Sequence, residues 1–237
     1  MTASEIATAA IEAEPLPLVF GQPLAAHRLP LCPEIRLWLL DGQVDLNAQI
    51  DPIFKGQDIP FWAFCWGAGQ ALARYIIGHP ETVAGKRVVD FGAGSGVAAI
   101  AAASAGARRA LAVDTDPLAR RMALRNARLN GVFIEVSGEL PESWDLLLAS
   151  DVMYEERTCG WLLELAVRGR KIIISNPERK ETPRLQRLLG QSEYRASGLE
   201  QICRVESPTF PDVDYPTRYV AIYGRSTTDR VYRPSRS

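Results

Sequence analysis

Val88-Val89-Asp90-Phe91-Gly92-Ala93-Gly94-Ser95-Gly96-Val97 is the stretch on which the fold turns. Val88 to Phe91 reads as a short buried strand, because its side chains are mostly β-branched or aromatic and show no helical period. The alternate glycines let the backbone turn sharply, and the Ala-rich run from Val97 to Ala105 predicts a helix. A strand that passes through a tight glycine turn into a helix opens a parallel crossover. The same alternation continues outward. Ala110 to Val113 predicts a second strand. Pro117 starts a helix in which Leu118, Met122, Leu124 and Leu129 alternate with Arg120, Arg121, Arg125 and Arg128, ending at Asn130-Gly131. Val132–Val136, Trp144–Ala149 and Ile172–Ile174 predict three more strands, with a helix around Trp161–Val167 before the last. The expectation is an α/β fold: a doubly wound, mostly parallel sheet with helices on both faces. Ile202–Val205 and Tyr219–Tyr223, joined by a Pro-rich loop, are expected to close it as an antiparallel pair, giving seven strands.

Upstream the chain is less regular. Residues 1 to about 34 hold a short Ala/Glu-rich segment and then Pro15, Pro17, Pro23, Pro30 and Pro33, the pattern of an arm packed on the surface or partly disordered. Ile35 to Leu40, followed by Asp41-Gly42 and the alternating Val44 and Leu46, predicts a hairpin. Its exposed apolar residues would serve a substrate platform or a dimer contact. After a loop to Pro60 comes an aromatic block, Phe61-Trp62-Ala63-Phe64-Cys65-Trp66, running into Gly67-Ala68-Gly69-Gln70 and an apolar helix to Ile77. The expected division is therefore residues 1–85 as an N-terminal arm, hairpin and aromatic substrate mouth. Residues 86–224 form the core, and 225–237 a flexible tail.

Composition narrows the function classes. The chain has 237 residues and a net charge of -1, room for one large domain with an elaborate front end. Near neutrality removes the electrostatic footprint of a nucleic-acid binder. Its 27 cations are 23 Arg and only 4 Lys, a bias best read as codon usage. Cys32, Cys65, Cys159 and Cys203 form no CxxC pair and share no ligand spacing with His27 or His79, so neither a metal site nor a disulfide framework is expected. Apolar runs fall short of the ~20 residues of a membrane span. The acidic N-terminal segment resembles neither a secretory signal nor a transit peptide. A reducing cytoplasm suits all of this.

In an open parallel sheet, ligands bind beyond the carboxyl ends of the strands where strand order reverses. Gly92, Gly94 and Gly96 stand there, ahead of a helix N-terminus. A dinucleotide fingerprint would require GxGxxG, but the sixth position from Gly92 is Val97, and Asp90 would face a pyrophosphate badly. A cofactor with an ammonium group and no phosphate suits that acid better; S-adenosylmethionine has both properties. Asp114, with Thr115 beside it, ends the second strand 22 residues after Gly92, where a carboxylate accepts both ribose hydroxyls. Asp116 is expected only to cap the helix begun by Pro117. Ser137-Gly138-Glu139-Leu140 follows the third strand: Glu139 either takes the adenine amino group, with Leu140 over the ring, or is an exposed turn residue.

Ser150-Asp151-Val152-Met153-Tyr154 follows the fourth strand. Ser150 would border the cofactor, and an acid and an aromatic three residues apart could hold an incoming amine. Alternatively Asp151 caps the next helix and Tyr154 is core. From about Asp58 to Arg179 the chain resembles the seven-β-strand lysine methyltransferases, most closely the electron transfer flavoprotein β-subunit lysine methyltransferases. The resemblance rests on Phe61 to Leu72, Asp90 to Gly96, Ser150 to Tyr154 and Ser175-Asn176-Pro177-Glu178-Arg179. It implies a Rossmann-like sheet with its last strand antiparallel, S-adenosylmethionine as donor and S-adenosylhomocysteine as product. It further implies Asp151 and Tyr154 as the catalytic pair, Trp66 on the cofactor, and Trp62 and Asn176 toward the substrate. The implied acceptor is the flavoprotein β subunit or another lysine-bearing bacterial protein. Gly67, where relatives commonly carry proline, and Asn176, where an acid is common, depart from the pattern. A small-molecule amine methyltransferase of the same fold and a non-catalytic binding module are the alternatives.

Overall fold

The computed structural model describes residues 15–41, 60–154, 156–178, 184–211 and 219–225. Strands β1 (Leu24–Arg28) and β2 (Arg36–Leu40) form a small antiparallel sheet with Leu24 opposite Leu40 and Arg28 opposite Arg36. The main sheet comprises β3 (Arg87–Phe91), β4 (Arg109–Val113), β5 (Glu135–Ser137), β6 (Leu146–Ser150), β7 (Ile172–Pro177), β8 (Leu199–Glu206) and β9 (Tyr219–Arg225). Their spatial order is β5-β4-β3-β6-β7-β9-β8. All neighbouring pairs from β5 to β7 are parallel, and β9 inserts antiparallel between β7 and β8. The expected sheet, with its last strand reversed, is the observed one. Strand order reverses between β3 and β6, so the ligand crevice lies beyond the carboxyl ends of those two strands.

Helices α1 (Gly67–Gly78), α2 (Val97–Ser104), α3 (Pro117–Leu129), α4 (Glu156–Val167) and α5 (Arg184–Leu189) complete the layers. One core joins α1, α2 and one face of the sheet through Leu72, Ile76, Ile100, Val88, Leu148 and Ile222. A second, on the opposite face, holds Leu147, Met153, Cys159, Leu162 and Ile174 beneath α4. Among the described residues no helix is long and apolar enough to cross a membrane.

Two boundaries differ from the sequence reading. The strand expected from Val132 begins at Glu135, because α3 ends in a Schellman motif. Gly131, at φ +66°, donates to the Arg128 carbonyl, and the Val132 N–H reaches back to Ala127. At the front, the 44–46 arm of the expected hairpin lies outside the described residues, and β2 has another partner. It is β1, within the stretch read as a surface arm. Burial explains it: Leu29, Cys32, Ile35, Leu37 and Leu39 all enter the main core, while Leu24 and Leu40 pack with Trp62, Phe64 and Met122.

The N-terminus of α1 is stitched to the loop between β8 and β9. Cys65 and Phe210 exchange backbone hydrogen bonds, the Ser207 hydroxyl donates to the Gly67 carbonyl at 2.7 Å, and Gln70 Nε2 donates to Pro208 O at 2.7 Å. Space there is closed. A Cβ on residue 67 would lie 2.5 Å from the Ser207 carbonyl oxygen, which accounts for the glycine here. At the other end of α1, a Cβ on Gly78 would meet nothing within 4 Å. Gly67→Ala is therefore expected to destabilise the fold by about 2 kcal/mol or more. Gly78→Ala should be neutral or gain up to ~1 kcal/mol. Urea denaturation midpoints of the two variants check the contrast.

Candidate active site

The turn from β3 into α2 is built by conformation before chemistry. Gly92, Gly94 and Gly96 all have positive φ, and at two of them the neighbours also forbid a side chain. A Cβ on Gly92 would lie 2.6 Å from Val152 Cγ1, and one on Gly96 would lie 2.8 Å from Ala123 Cβ of α3. The loop is thus clamped between the turn after β6 and helix α3. Gly94 instead borders open space, with only the Trp62 Cα at 3.9 Å.

Two carboxylates frame the loop. Asp90 is 1% exposed; its Oδ2 accepts from the Ala99 N–H at 3.0 Å, while Oδ1 is buried without a hydrogen-bond partner. Burial pushes its pKa from 3.8 up to about 7, opposed by the Ala99 bond and aided by the negative charge of Asp114. Asp114, at the end of β4, accepts from the Gly94 N–H through Oδ2 at 2.9 Å and from the Asp116 N–H through Oδ1 at 3.0 Å. Each oxygen keeps a further lone pair for a donor such as a hydroxyl. Asp116 caps α3 as expected, accepting from the Leu118 N–H at 2.8 Å. An orphaned buried acid, a second acid with free acceptor capacity and an open glycine backbone fit a ligand bearing a cation and a diol. They are a poor fit for a pyrophosphate.

The remaining predicted residues fall around this centre. Thr115 is exposed, and its carbonyl and that of Asp114 both accept from Arg120 Nη1 at 3.0 and 2.7 Å. The Ser137 hydroxyl donates to the Glu139 carbonyl and accepts from the Glu139 N–H, which leaves the Glu139 side chain exposed. Leu140 packs against Val89, Leu111, Val113 and Trp144. Ser150 ends β6 with its hydroxyl near Gly69 of α1. Asp151 lies in the left-handed region at φ +54°, its N–H donating to the Ser175 carbonyl at 3.0 Å. Tyr154 is 62% exposed. Trp66 is half-buried between Phe61 and Phe64, its indole N–H donating to the Phe61 carbonyl at 3.0 Å. Asn176 is buried at the end of β7, where its Nδ2 donates to the Pro177 carbonyl. Trp62, expected among the substrate contacts, is 3% exposed and packs with Val19, Leu24, Leu40 and Met122, with its Cα beside Gly94. The amphipathic α3 needs an apolar lid on that side, and the indole provides one.

Arg120 and Asn126 escaped the sequence reading. The Arg120 guanidinium would meet a Cβ on Gly138 at 3.3 Å, so it joins the loops after β4 and β5. Asn126 is fully buried and donates to the Ser95 carbonyl at 2.9 Å. Its signal was available: a polar side chain at a position that the helical period assigns to the buried face of α3, among Met122, Ala123 and Ala127.

Residues 71–153 match the family model of the ribosomal protein L11 methyltransferases. The chain is 35% identical over 182 residues to the electron transfer flavoprotein beta subunit lysine methyltransferase of Xenopus laevis, covering 71% of this chain and 74% of that protein. With the protein of the same name from Homo sapiens, identity is 34% over 167 residues, covering 64% of this chain and 62% of that protein. Among solved structures, magnesium protoporphyrin IX methyltransferase of Synechocystis, with S-adenosylmethionine bound, superposes with a TM-score of 0.52. It covers 78% of this chain and 86% of that chain at 18% identity, a likeness of fold.

Asp90 generates a pH test. Its folded pKa exceeds the unfolded value, so the folded chain holds the proton longer, and stability falls as pH rises from about 4 through about 7. The loss above pH 7 is on the order of a few kcal/mol. A cation beside the carboxylate reverses it. Asp90→Asn is expected to flatten the fall in Tm between pH 5 and 8, and to abolish the greater stabilisation by S-adenosylhomocysteine at pH 8 than at pH 5. Equal Tm–pH slopes in the two proteins would refute this.

Proposed function

The chain belongs to the electron transfer flavoprotein β-subunit lysine methyltransferase family and is an S-adenosylmethionine-dependent methyltransferase; from that premise we propose that it is a protein-lysine N-methyltransferase acting on the electron transfer flavoprotein β subunit. The observation that carries the acceptor side is the turn after β6. Asp151 stands in a left-handed conformation, pinned through its N–H to Ser175 and through the neighbouring Val152 to Gly92. This brings a carboxylate-bearing residue against the loop assigned to the cofactor.

The chemistry asks for such a group. A lysine amine with pKa near 10.4 must lose its proton before it attacks, which costs roughly 4 to 5 kcal/mol at pH 7. S-adenosylmethionine supplies an activated methyl group on a cationic sulfonium. In this reading Asp90 and Asp114 hold its ammonium and ribose ends, and Trp66, Ser150 and Leu140 line it. Asp151 orients the amine and relays its proton, and the Tyr154 ring excludes water from it. Asn176 borders the acceptor's approach at the end of β7.

A second acceptor is favoured by the match of residues 71–153 to the ribosomal protein L11 methyltransferases. Incubation with labelled donor and either the purified flavoprotein β subunit or ribosomal protein L11, followed by mass spectrometry, decides between them. Label on lysines of the flavoprotein subunit is expected. Asp151→Asn should lower the rate about a hundredfold, because the carboxylate's share of proton transfer is lost. Label confined to small molecules in a whole-cell extract would overturn the protein-substrate reading.

A further inference from the structure

We infer that Asn126 is a positioning residue that ties the cofactor loop to the N-terminal hairpin, so that the hairpin β1–β2 holds the loop in its binding conformation. The amide is fully buried and both of its polar ends are used. Oδ1 accepts from the Trp38 N–H of β2 at 2.7 Å, and Nδ2 donates to the Ser95 carbonyl at 2.9 Å. The partners fix its orientation, since a backbone N–H only donates and a carbonyl only accepts.

Ser95 is the residue that most needs such a tie. It is buried between Gly94, whose N–H is held by Asp114, and Gly96, which abuts Ala123 one turn before Asn126 on α3. Glycines on both sides leave the Ser95 peptide with little intrinsic preference for one conformation. Aspartate at 126 would set a carboxylate against the Ser95 carbonyl, and alanine would strand that buried carbonyl and the part-buried Trp38 N–H.

The next turn of α3 supplies an internal control. Asn130 docks the same strand, accepting from the Arg36 N–H at 2.8 Å and donating to the Arg36 carbonyl at 2.6 Å, at the far end of α3 from the glycine loop. Its Nδ2 also donates to the Asn126 backbone carbonyl at 2.7 Å, but loss of the Asn130 side chain leaves the Trp38–Asn126–Ser95 link itself in place. The inference rests on the loop's binding S-adenosylmethionine and is independent of the acceptor.

The test is calorimetric titration of the full chain with S-adenosylhomocysteine, combined with amide hydrogen exchange of the ligand-free protein. Asn126→Ala and Asn126→Asp are expected to weaken binding about tenfold or more and to speed exchange at residues 94–96. Asn130→Ala should bind within about twofold of wild type, even where its Tm falls as far. Wild-type affinity in the Asn126 variants would overturn the inference, as would an equal loss in Asn130→Ala. Should neither variant fold, Asn126→Ser, which keeps a donor and an acceptor on a shorter arm, is read against the same criteria.

Discussion

The hydrogen bond from the Gly94 N–H to Asp114 is the contact on which the rest of the site depends. It joins the ends of two adjacent parallel strands. Without it, a loop with three glycines at positive φ would lose one of the few side-chain contacts that offset its conformational entropy. The loop's neighbours act in the same sense: Ala123 and Val152 occupy the space a Cβ would need, and Asn126 holds the Ser95 carbonyl. A soft sequence is therefore held rigid from three directions, which keeps Asp90 dry behind it.

The front end follows from that arrangement. A doubly wound sheet leaves the carboxyl ends of its strands uncovered, and here the covering comes from the 61–70 segment, the small sheet and the loop between β8 and β9. Gln70 shows how closely they are joined. Its buried amide donates to the Cys65 and Pro208 carbonyls and accepts from the Leu31 N–H, so three chain segments far apart in sequence meet on one side chain. Asn126 and Asn130 do the same for the edge of β2 away from β1, satisfying backbone groups that would otherwise invite pairing with another chain.

Most of the core was legible in the sequence because its signals are local. Short β-branched runs, a glycine turn, Pro117 at a helix start and Asn130-Gly131 at its end each report on residues within one turn of themselves. What escaped depends on distant partners. Leu24 to Arg28 has no strand signal stronger than its flanking prolines, and becomes a strand because β2 lies alongside and Leu24 has a core to enter. Trp62 carries the same side chain whether it faces solvent or packing; Val19, Leu40 and Met122 decide the matter, and they lie well before and after it in the chain. Glu135 rather than Val132 starts β5 because the Schellman motif uses the intervening backbone. Asp90 and Asp114 stand at the strand ends that their position in the sequence predicts, but that one Asp90 oxygen has no partner only the packed structure could reveal.

The backbone at Asp151 bears on what that residue is for. A left-handed conformation is cheapest for glycine, and a side chain there costs on the order of 1 kcal/mol. Val152, one residue on, must approach Gly92 closely, and the Asp151 N–H must reach Ser175, so the turn geometry is imposed from outside. Glycine would satisfy those demands with less strain. An aspartate in that place accepts a conformational cost in the turn after β6, which follows the strand next to β3, where strand order reverses. In the reading proposed above, the left-handed backbone at Asp151 is what sets an acid rather than a glycine beside the cofactor loop.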